Sequence, residues 1–398
     1  MPDIFKASFT QQRALPIKAV EAAHTVLENA RIHRYGAVAD ELSEAAILEQ
    51  EYAKWQGAKY CLACASGGQA MQVALRALKI QHNEPVLTNG FTLAPVPGAI
   101  AAVGAKPVLV EINDDLVIDC DDLDKKAKAS GARILLLSHM RGHLADMDLL
   151  VEVCKANGVT IVEDCAHTMG ATWDGIKSGN FGHIACFSTQ TYKHVNSGEG
   201  GLLTTNDPDV MARAIILSGS YMNYARHGAA PEEKHFDFPK YECPNMSARM
   251  DNLRASILSP QIDELDEAIS SWNERHDIVA NILSTLEPIV ALPKQHTKAV
   301  RVGSSLQFRV PNISQEKVLK LLEDLAKRGV ELKWFGRDEP AGFTSMHQHW
   351  TYVEPQELPV TDKLLEGLFD IRLPLSFSLE ECHQLGEILL DELKKTAS

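Results

Sequence analysis

Apolar residues between Ile17 and Ala30 (IKAVEAAHTVLENA) recur three and four positions apart, which predicts an amphipathic helix. The chain then passes through a loop around Tyr35 and Gly36 into a second helix that ends near Gly57. Beyond it the pattern changes. Short unbroken apolar runs at 60–65, 85–88, 107–110, 134–138 and 160–163 are separated by helical stretches at 69–78, 94–103, 123–129 and 147–157. A strand that is apolar on consecutive residues is buried on both faces, so this alternation predicts an α/β fold: a mostly parallel sheet with helices on either side. Such sheets bind ligands beyond the carboxyl ends of their strands. The residues to watch are therefore 66–68, Phe91, 139–143, 164–167 and 188–193.

The second half reads differently. A helix with an acidic first turn is predicted at 207–218, followed by a long irregular loop at 219–244 rich in Tyr, His, Pro and Glu. Helical patterning returns from Met250 to about Leu286 with a break near Pro260. After that come a strand at 305–310, a helix at 315–328, a strand at 330–334, a loop to Pro359, a strand at 371–375 and an amphipathic helix at 379–394. The expected organisation is an irregular N-terminal arm (1–16), a large domain (17–286) and a smaller C-terminal α+β domain (287–398).

Composition narrows the function classes. With 398 residues, 45% of them hydrophobic and 23% charged, the chain is long enough for two or three ordinary globular domains. A net charge of −14 excludes a nucleic-acid or anionic-membrane partner drawn by bulk attraction, so any anionic ligand needs a local basic site. The cysteines are scattered through apolar runs and the first residues, MPDIFKASFTQQ, lack the basic-then-apolar pattern of a signal, which points to a reducing cytoplasm. No apolar run approaches the roughly 18 residues of a membrane helix.

Candidate chemistry gathers in IVEDCAHTMGATWDGIKSGNFGHIACFSTQTYKHVNSGEGG, which starts at Ile161. Taken singly, Asp164 reads equally well as an ordinary strand-end acid and Lys193 as a surface lysine. Together, a carboxylate at a strand end and a lysine in a glycine-flanked turn suit pyridoxal 5'-phosphate (PLP): the acid holds the pyridine nitrogen protonated, and the amine forms a Schiff base and then serves as the base. The turn Ser66-Gly67-Gly68-Gln69, between strand and helix, offers backbone N–H groups to the cofactor phosphate, with Ser188, Thr189 and Gln190 as further donors. Phe91 and His167 are candidates to pack on the two ring faces. No metal is expected. Cys61 and Cys64 read as core thiols, His139 and His143 with Asp146 as structural or substrate contacts, and His347 and His349 as loop residues.

The segments EDCAHTMGA, FSTQTYKHVNSGEGGLLTTND and NMSARMDNLRASIL resemble the DegT/DnrJ/EryC1/StrS family of fold-type I PLP enzymes, best known as sugar aminotransferases. LEQEYAKWQGAKY with the following SGG, VGAKPVLVEI, the DMD before the helix at 147 and a late RLPLS extend the similarity over most of the chain. The resemblance implies a three-layer αβα large domain and an aminotransferase that moves an amino group from an amino-acid donor to a keto acceptor, a keto sugar. It implies Lys193 as the Schiff-base lysine, Asp164 on the pyridine nitrogen, His167 and Phe91 beside the ring, and Gly67, Gly68 and Ser188 at the phosphate. It further implies a homodimer whose active sites are closed by the partner's 244–250 segment, where Ser247 stands in place of a phosphate-binding Asn and Arg249 follows.

Three departures bear on the substrate. The phosphate turn is Gly-Gly where Gly-Thr or Gly-Ser is usual. The chain reads His139-Met140-Arg141-Gly142-His143 where members commonly read His-Leu-x-Gly, and the loop after 218 adds Tyr221, Tyr224, Arg226 and His227. Arg141 either makes a structural ion pair or, with Tyr221, Arg226, His227 and Arg249, binds a small carboxylate, phosphonate or sulfonate substrate. A lyase or dehydratase on the same scaffold is the other alternative. In the sugar-dehydratase branch the lysine is replaced by histidine; here Lys193 is present, which favours transfer. A non-catalytic regulatory role sits poorly with an intact Asp164 and Lys193.

Overall fold

A computed structural model of the chain describes residues 4–38 and 41–397; the first three residues of the expected arm and the last residue of the C-terminal domain lie outside the described residues. In chain order the first elements are α1 (Ile17–Asn29), α2 (Glu44–Gln56), β1 (Tyr60–Cys64), α3 (Gly67–Ala77), β2 (Pro85–Asn89), α4 (Pro95–Ala102) and β3 (Lys106–Val110). Then come α5 (Cys120–Ser130), β4 (Ile134–Ser138), α6 (Met147–Ala156), β5 (Thr160–Asp164), β6 (Thr172–Trp173), β7 (Ile176–Lys177), β8 (Ile184–Ser188), β9 (Gly201–Thr205) and α7 (Pro208–Ser218). The remainder is α8 (Pro239–Glu242), α9 (Asn252–Asp263), α10 (Leu265–Ser284), β10 (Ala299–Val300), β11 (Ser305–Arg309), α11 (Gln315–Lys327), β12 (Lys333–Trp334), α12 (Pro359–Leu365), β13 (Leu368–Arg372) and α13 (Leu379–Ala397).

The central sheet has seven strands in the order β1-β9-β8-β5-β4-β2-β3. The strands from β8 to β3 pair in parallel, while β9 runs antiparallel to both of its neighbours. Its two faces follow from the period-2 alternation of strand side chains. Leu62, Val86, Leu136, Val162, Cys186 and Leu203 meet the apolar stripes of α3, α4 and α7. The alternate residues Cys61, Ala63, Ala185 and Phe187 meet α2, α9 and α10, and Leu87, Leu135, Leu137 and Ile161 meet α5 and α6. Three layers result, as the unbroken apolar strands predict.

A second core surrounds the three-stranded sheet β11-β13-β12, against which α10, α11 and α13 pack. The N-terminal segment joins this core: Phe5 and Phe9 are buried edge-on against Phe377, and the Phe5 N–H donates to the Arg328 carbonyl. The arm is thus docked by two aromatic anchors.

Several boundaries differ from the sequence reading: the strand expected at 330–334 is confined to Lys333–Trp334, and the loop expected at 219–244 holds α8. Pro260 lies inside α9, because burial of Leu258 and Ile262 carries the helix past the lost N–H; the break falls at Glu264. The last strand is 368–372, since Arg309↔Leu368 and Ser305↔Arg372 set its register and Pro374 has no N–H for the ladder. Finally, α12 begins on Pro359 at its first turn, where the expected loop ends, in a stretch to which the sequence reading gives no element.

Candidate active site

Strand register assembles the site. Ser138 at the end of β4 stands opposite Asp164 at the end of β5, while Ser188 at the end of β8 and Cys64 at the end of β1 both pair with Gly201. The cavity beyond these ends has a volume of about 530 Å³, with Gly67, Gly68, Asp164, His167, Ser188 and Lys193 all on its wall. The sequence-predicted residues of the β5 and β8–β9 segments are therefore together in one place, except Thr189, which is buried with its Oγ1 on Ser197.

Asp164 forms the floor. Ser138 Oγ donates to Asp164 Oδ2 at 3.2 Å and the Ala166 N–H donates to Oδ1 at 3.1 Å. Behind Ser138, Thr92 Oγ1 donates to Ser138 Oγ at 2.7 Å, and Asn89 holds the Ser138 backbone with both ends of its amide. Burial raises the Asp164 carboxyl above its ordinary value, against the opposing pull of the Ala166 N–H, Lys193 and Ser138. Among the described residues each oxygen has one donor and a lone pair to spare, so a cationic N–H is what this carboxylate can still take.

Lys193 Nζ and His167 Nε2 share a hydrogen bond of 2.9 Å. Burial, followed by the charges of Arg141 and Arg372, lowers the amine to about 7, with Asp164 pulling the other way. Desolvation and the Lys193 charge hold His167 well below its ordinary range, so the imidazole is neutral. At neutral pH a large fraction of Lys193 is the free amine, competent as nucleophile and base.

The helix α3 starts in the cavity wall. Ser66 caps it, its Oγ accepting the Gln69 N–H at 3.0 Å, which leaves the Gly67 and Gly68 N–H groups facing outward at the positive end of the helix dipole. A Cβ on Gly67 would sit 2.9 Å from Ser188 Cβ, and one on Gly201 would sit 2.4 Å from the Ser66 carbonyl. The glycines thus let three backbone segments converge on one anion cradle. Gly67, Gly68 and Ser188 fit a phosphate, Asp164 fits a pyridinium and Lys193 fits a carbonyl, so PLP matches the donor set from end to end.

Other sequence candidates fall elsewhere. Phe91 is buried outside the cavity, edge-on to Phe335 with ring centroids 5.0 Å apart, because its strand–helix turn points it into the cluster beneath α12; Leu93 and Pro95 reach the cavity wall in its place. Arg141 does line the cavity, but its guanidinium clasps the fully buried Asp370, with Nε at 2.8 Å and Nη2 at 2.6 Å. His227 is buried between Arg34 and Glu49, where Arg34 Nη2 lies 2.7 Å from its Nδ1, and is structural. Arg226 donates to the Tyr35 carbonyl and Arg249 to the Gly219 carbonyl. Ser247 and Tyr221 are exposed and do not reach this chain's own cavity.

The histidine and cysteine candidates separate likewise. His143 Nε2 donates to Gln307 Oε1 at 2.8 Å and Asp146 caps α6, so neither converges with His139. His139, Glu163 and Cys165 do cluster, but Glu163 accepts the N–H groups of Gly179, Phe181 and Gly182, and Cys165 is bonded to Ser178. That carboxylate is fully used by the fold. Cys61 and Cys64 are core residues of β1.

Sequence reasoning missed Thr92, Phe343 and Arg372, and took in Tyr192 only as one position of the 188–193 segment. Tyr192 lies within TYKH and Arg372 opens RLPLS, both noted motifs, whereas nothing in the pattern brings Phe343 to the cavity or sets Thr92 behind Ser138.

Comparison with known proteins agrees with this geometry. Residues 19–389 match the DegT/DnrJ/EryC1/StrS aminotransferase family. GDP-perosamine synthase of Caulobacter vibrioides is 30% identical over 295 residues, covering 71% of this chain and 74% of that one. UDP-2-acetamido-2-deoxy-3-oxo-D-glucuronate aminotransferase of Pseudomonas aeruginosa is 32% identical over 224 residues, 56% of this chain and 59% of that one. Among solved structures, E. coli GDP-4-keto-6-deoxy-D-mannose-3-dehydratase with bound hydrated PLP shares the fold at a TM-score of 0.82 with 16% identity, over 97% of this chain and 100% of that one. With the family matched along nearly its whole length and a cavity whose donors fit PLP, the chain belongs to the DegT/DnrJ/EryC1/StrS family of PLP-dependent aminotransferases.

Proposed function

We propose that this aminotransferase moves an amino group from an amino-acid donor to the carbonyl of a keto sugar, as a homodimer in the cytoplasm. The observation that carries the reading is the pairing, in one cavity, of a buried Asp164 that has no cationic hydrogen-bond donor among the described residues with a Lys193 amine lowered to about 7. PLP bound there supplies a carbonyl for amine exchange and a ring that accepts electrons. The protein's own groups do the rest. Asp164 holds a proton at the ring nitrogen, Lys193 takes and returns the proton at the substrate carbon, and neutral His167 orients the lysine. Similarity to an enzyme named for a 3-oxo-glucuronate supports a keto-sugar acceptor.

The dimer is supported by apolar side chains left in solvent, Tyr221, Met222, Phe238 and Tyr241 in the 219–244 loop and Ile17, Val20 and Leu27 on α1. Ser247, Tyr221 and Arg249 fall outside their own cavity, where a second copy can use them. Separate cores around the two sheets support a large and a small domain, with Phe5 and Phe9 of the arm and Val279 and Leu283 of α10 packed into the smaller domain's core. Eight free cysteines fit a reducing compartment, and among the described residues no helix is long and apolar enough to cross a membrane.

The test is spectroscopic. Purified holoenzyme is mixed with single amino acids, loss of the cofactor's absorbance is followed, and the converted enzyme is offered free and nucleotide-linked keto sugars. Amine-bearing sugar in the mass spectrum supports the reading. An enzyme that aminates 2-oxo acids but none of the sugars would replace the keto-sugar acceptor with a small anionic one.

A further inference from the structure

The wall of the same cavity carries two arginines that are not equivalent. On β13, Asp370 and Arg372 are two residues apart and so lie on one face of the strand. Asp370 is saturated: Arg141 grips it bidentately and Gln307 Nε2 donates to Oδ1 at 2.6 Å. Arg372 has no such partner. Among the described residues it forms no ion pair with a carboxylate. Its guanidinium lies 3.9 Å from the Tyr192 ring centroid and 5.4 Å from that of Phe343, so two aromatic faces orient a partly buried cation. Burial and the neighbouring Arg141 act against its charge, and outweigh the support it draws from Asp370 and Tyr192. An oriented, half-desolvated guanidinium beside a second cation is a receptor for a planar anion, which it grips through two parallel hydrogen bonds.

We propose that Arg372 binds the α-carboxylate of the amino-acid donor, with Arg141 locked on Asp370 as a fixed neighbouring charge. This rests on the aminotransferase reading and names the group that selects the donor. Two observations place the carboxylate there. The cofactor phosphate has its own cradle at Gly67, Gly68 and Ser188, so this wall is not needed for it. Arg372 also stands close enough to Lys193 for its charge to act on the amine. In an α-amino acid the carboxylate is bonded to the carbon that bears the amine, so its receptor has to stand beside the reactive lysine. A carboxylate on a sugar lies several bonds from the reacting carbonyl.

The experiment compares wild type, Arg372→Gln and Arg372→Lys holoenzymes in the donor half-reaction. The probes are the standard amino acid that wild type converts fastest and the amine lacking only its α-carboxylate, read in single turnover by cofactor absorbance. Arg372→Gln is expected to raise the apparent Kd of the amino acid about 10- to 100-fold while leaving the amine unchanged, so the preference between them collapses. Arg372→Lys, which keeps the charge without the fork, is expected to fall between. An unchanged preference in a variant that melts like wild type overturns the proposal, as does a Kd change confined to the keto-acceptor half-reaction. Failure of wild type to convert any amino acid overturns the aminotransferase reading and this proposal with it.

Discussion

Lys193 Nζ lies 2.9 Å from His167 Nε2, joining the loop after β9's partner strand β8 to the loop after β5 across the mouth of the sheet. Two cations, Arg141 and Arg372, stand near that contact, and the imidazole is held neutral beside it. The lysine is thereby tuned as well as placed.

Cofactor capture by the apoprotein should report the tuning directly. The neutral amine is the nucleophile, and its pKa is lowered from 10.5 to about 7, so the capture rate should rise with pH to about 7 and then level off. An ordinary lysine would keep climbing roughly tenfold per pH unit through pH 9. Such a climb would contradict the assignment. Arg141→Met, which removes one of the depressing charges, should move the plateau to higher pH. The linkage has a definite sign: between pH 7 and 10.5 the unfolded chain binds the proton that the folded one has lost, so this group's cost to stability is full below pH 7 and relieved as pH rises through that window.

Asp164→Asn keeps the shape of the floor and removes its charge. Cofactor should still bind, but turnover should fall by ~100-fold or more, because a preorganised electrostatic partner is lost. Thr92→Val, which disturbs only the Thr92–Ser138–Asp164 chain, should have a smaller effect in the same direction. Turnover assays on both decide it, and full activity in Asp164→Asn removes the carboxylate from its role.

Gly201→Ala tests the cradle from outside the cavity. The new Cβ would meet the Ser66 carbonyl at 2.4 Å and the Gly67 nitrogen at 2.6 Å, both backbone atoms that cannot swing aside. Helix α3 must retreat from Ser188, so PLP affinity measured by equilibrium dialysis should drop at least about tenfold, with destabilisation on the scale of 1–3 kcal/mol. Unaltered affinity would mean the phosphate is held elsewhere.

Glu49 is the hinge of a buried cluster, accepting from Arg34, from the Ala63 N–H at 2.8 Å and from the Gly228 N–H at 3.2 Å, with His227 Nδ1 at 3.3 Å. Burial pushes its carboxyl up, yet Arg34 and His227 prevail and bring it down to about 2. Its contribution is therefore present above pH 4.5 and lost as pH falls toward 2. Glu49→Gln should cost about 3–5 kcal/mol by leaving Arg34 buried without its counter-charge. His227→Ala should lower Tm while leaving donor and acceptor KM unchanged; a selective rise in either KM would return His227 to the substrate site.

Much of this protein was legible from its sequence. Unbroken apolar strands alternating with amphipathic helices determine a buried, mostly parallel sheet, and the strand-end position of Asp164, Lys193 and the Ser66–Gly68 turn then locates the cavity. Those signals are local, carried by period and by turn chemistry. The tertiary structure decided what depends on partners distant in the chain. Asp370 took Arg141, Glu49 and Arg34 took His227, and Phe335 took Phe91, because burial forces each polar or aromatic group to find a complement wherever the fold supplies one. By the same logic Arg372, which reads in sequence as one residue of RLPLS, acquires its meaning only when β13 sets it beside Tyr192 and Lys193 with no carboxylate ion-paired to it among the described residues.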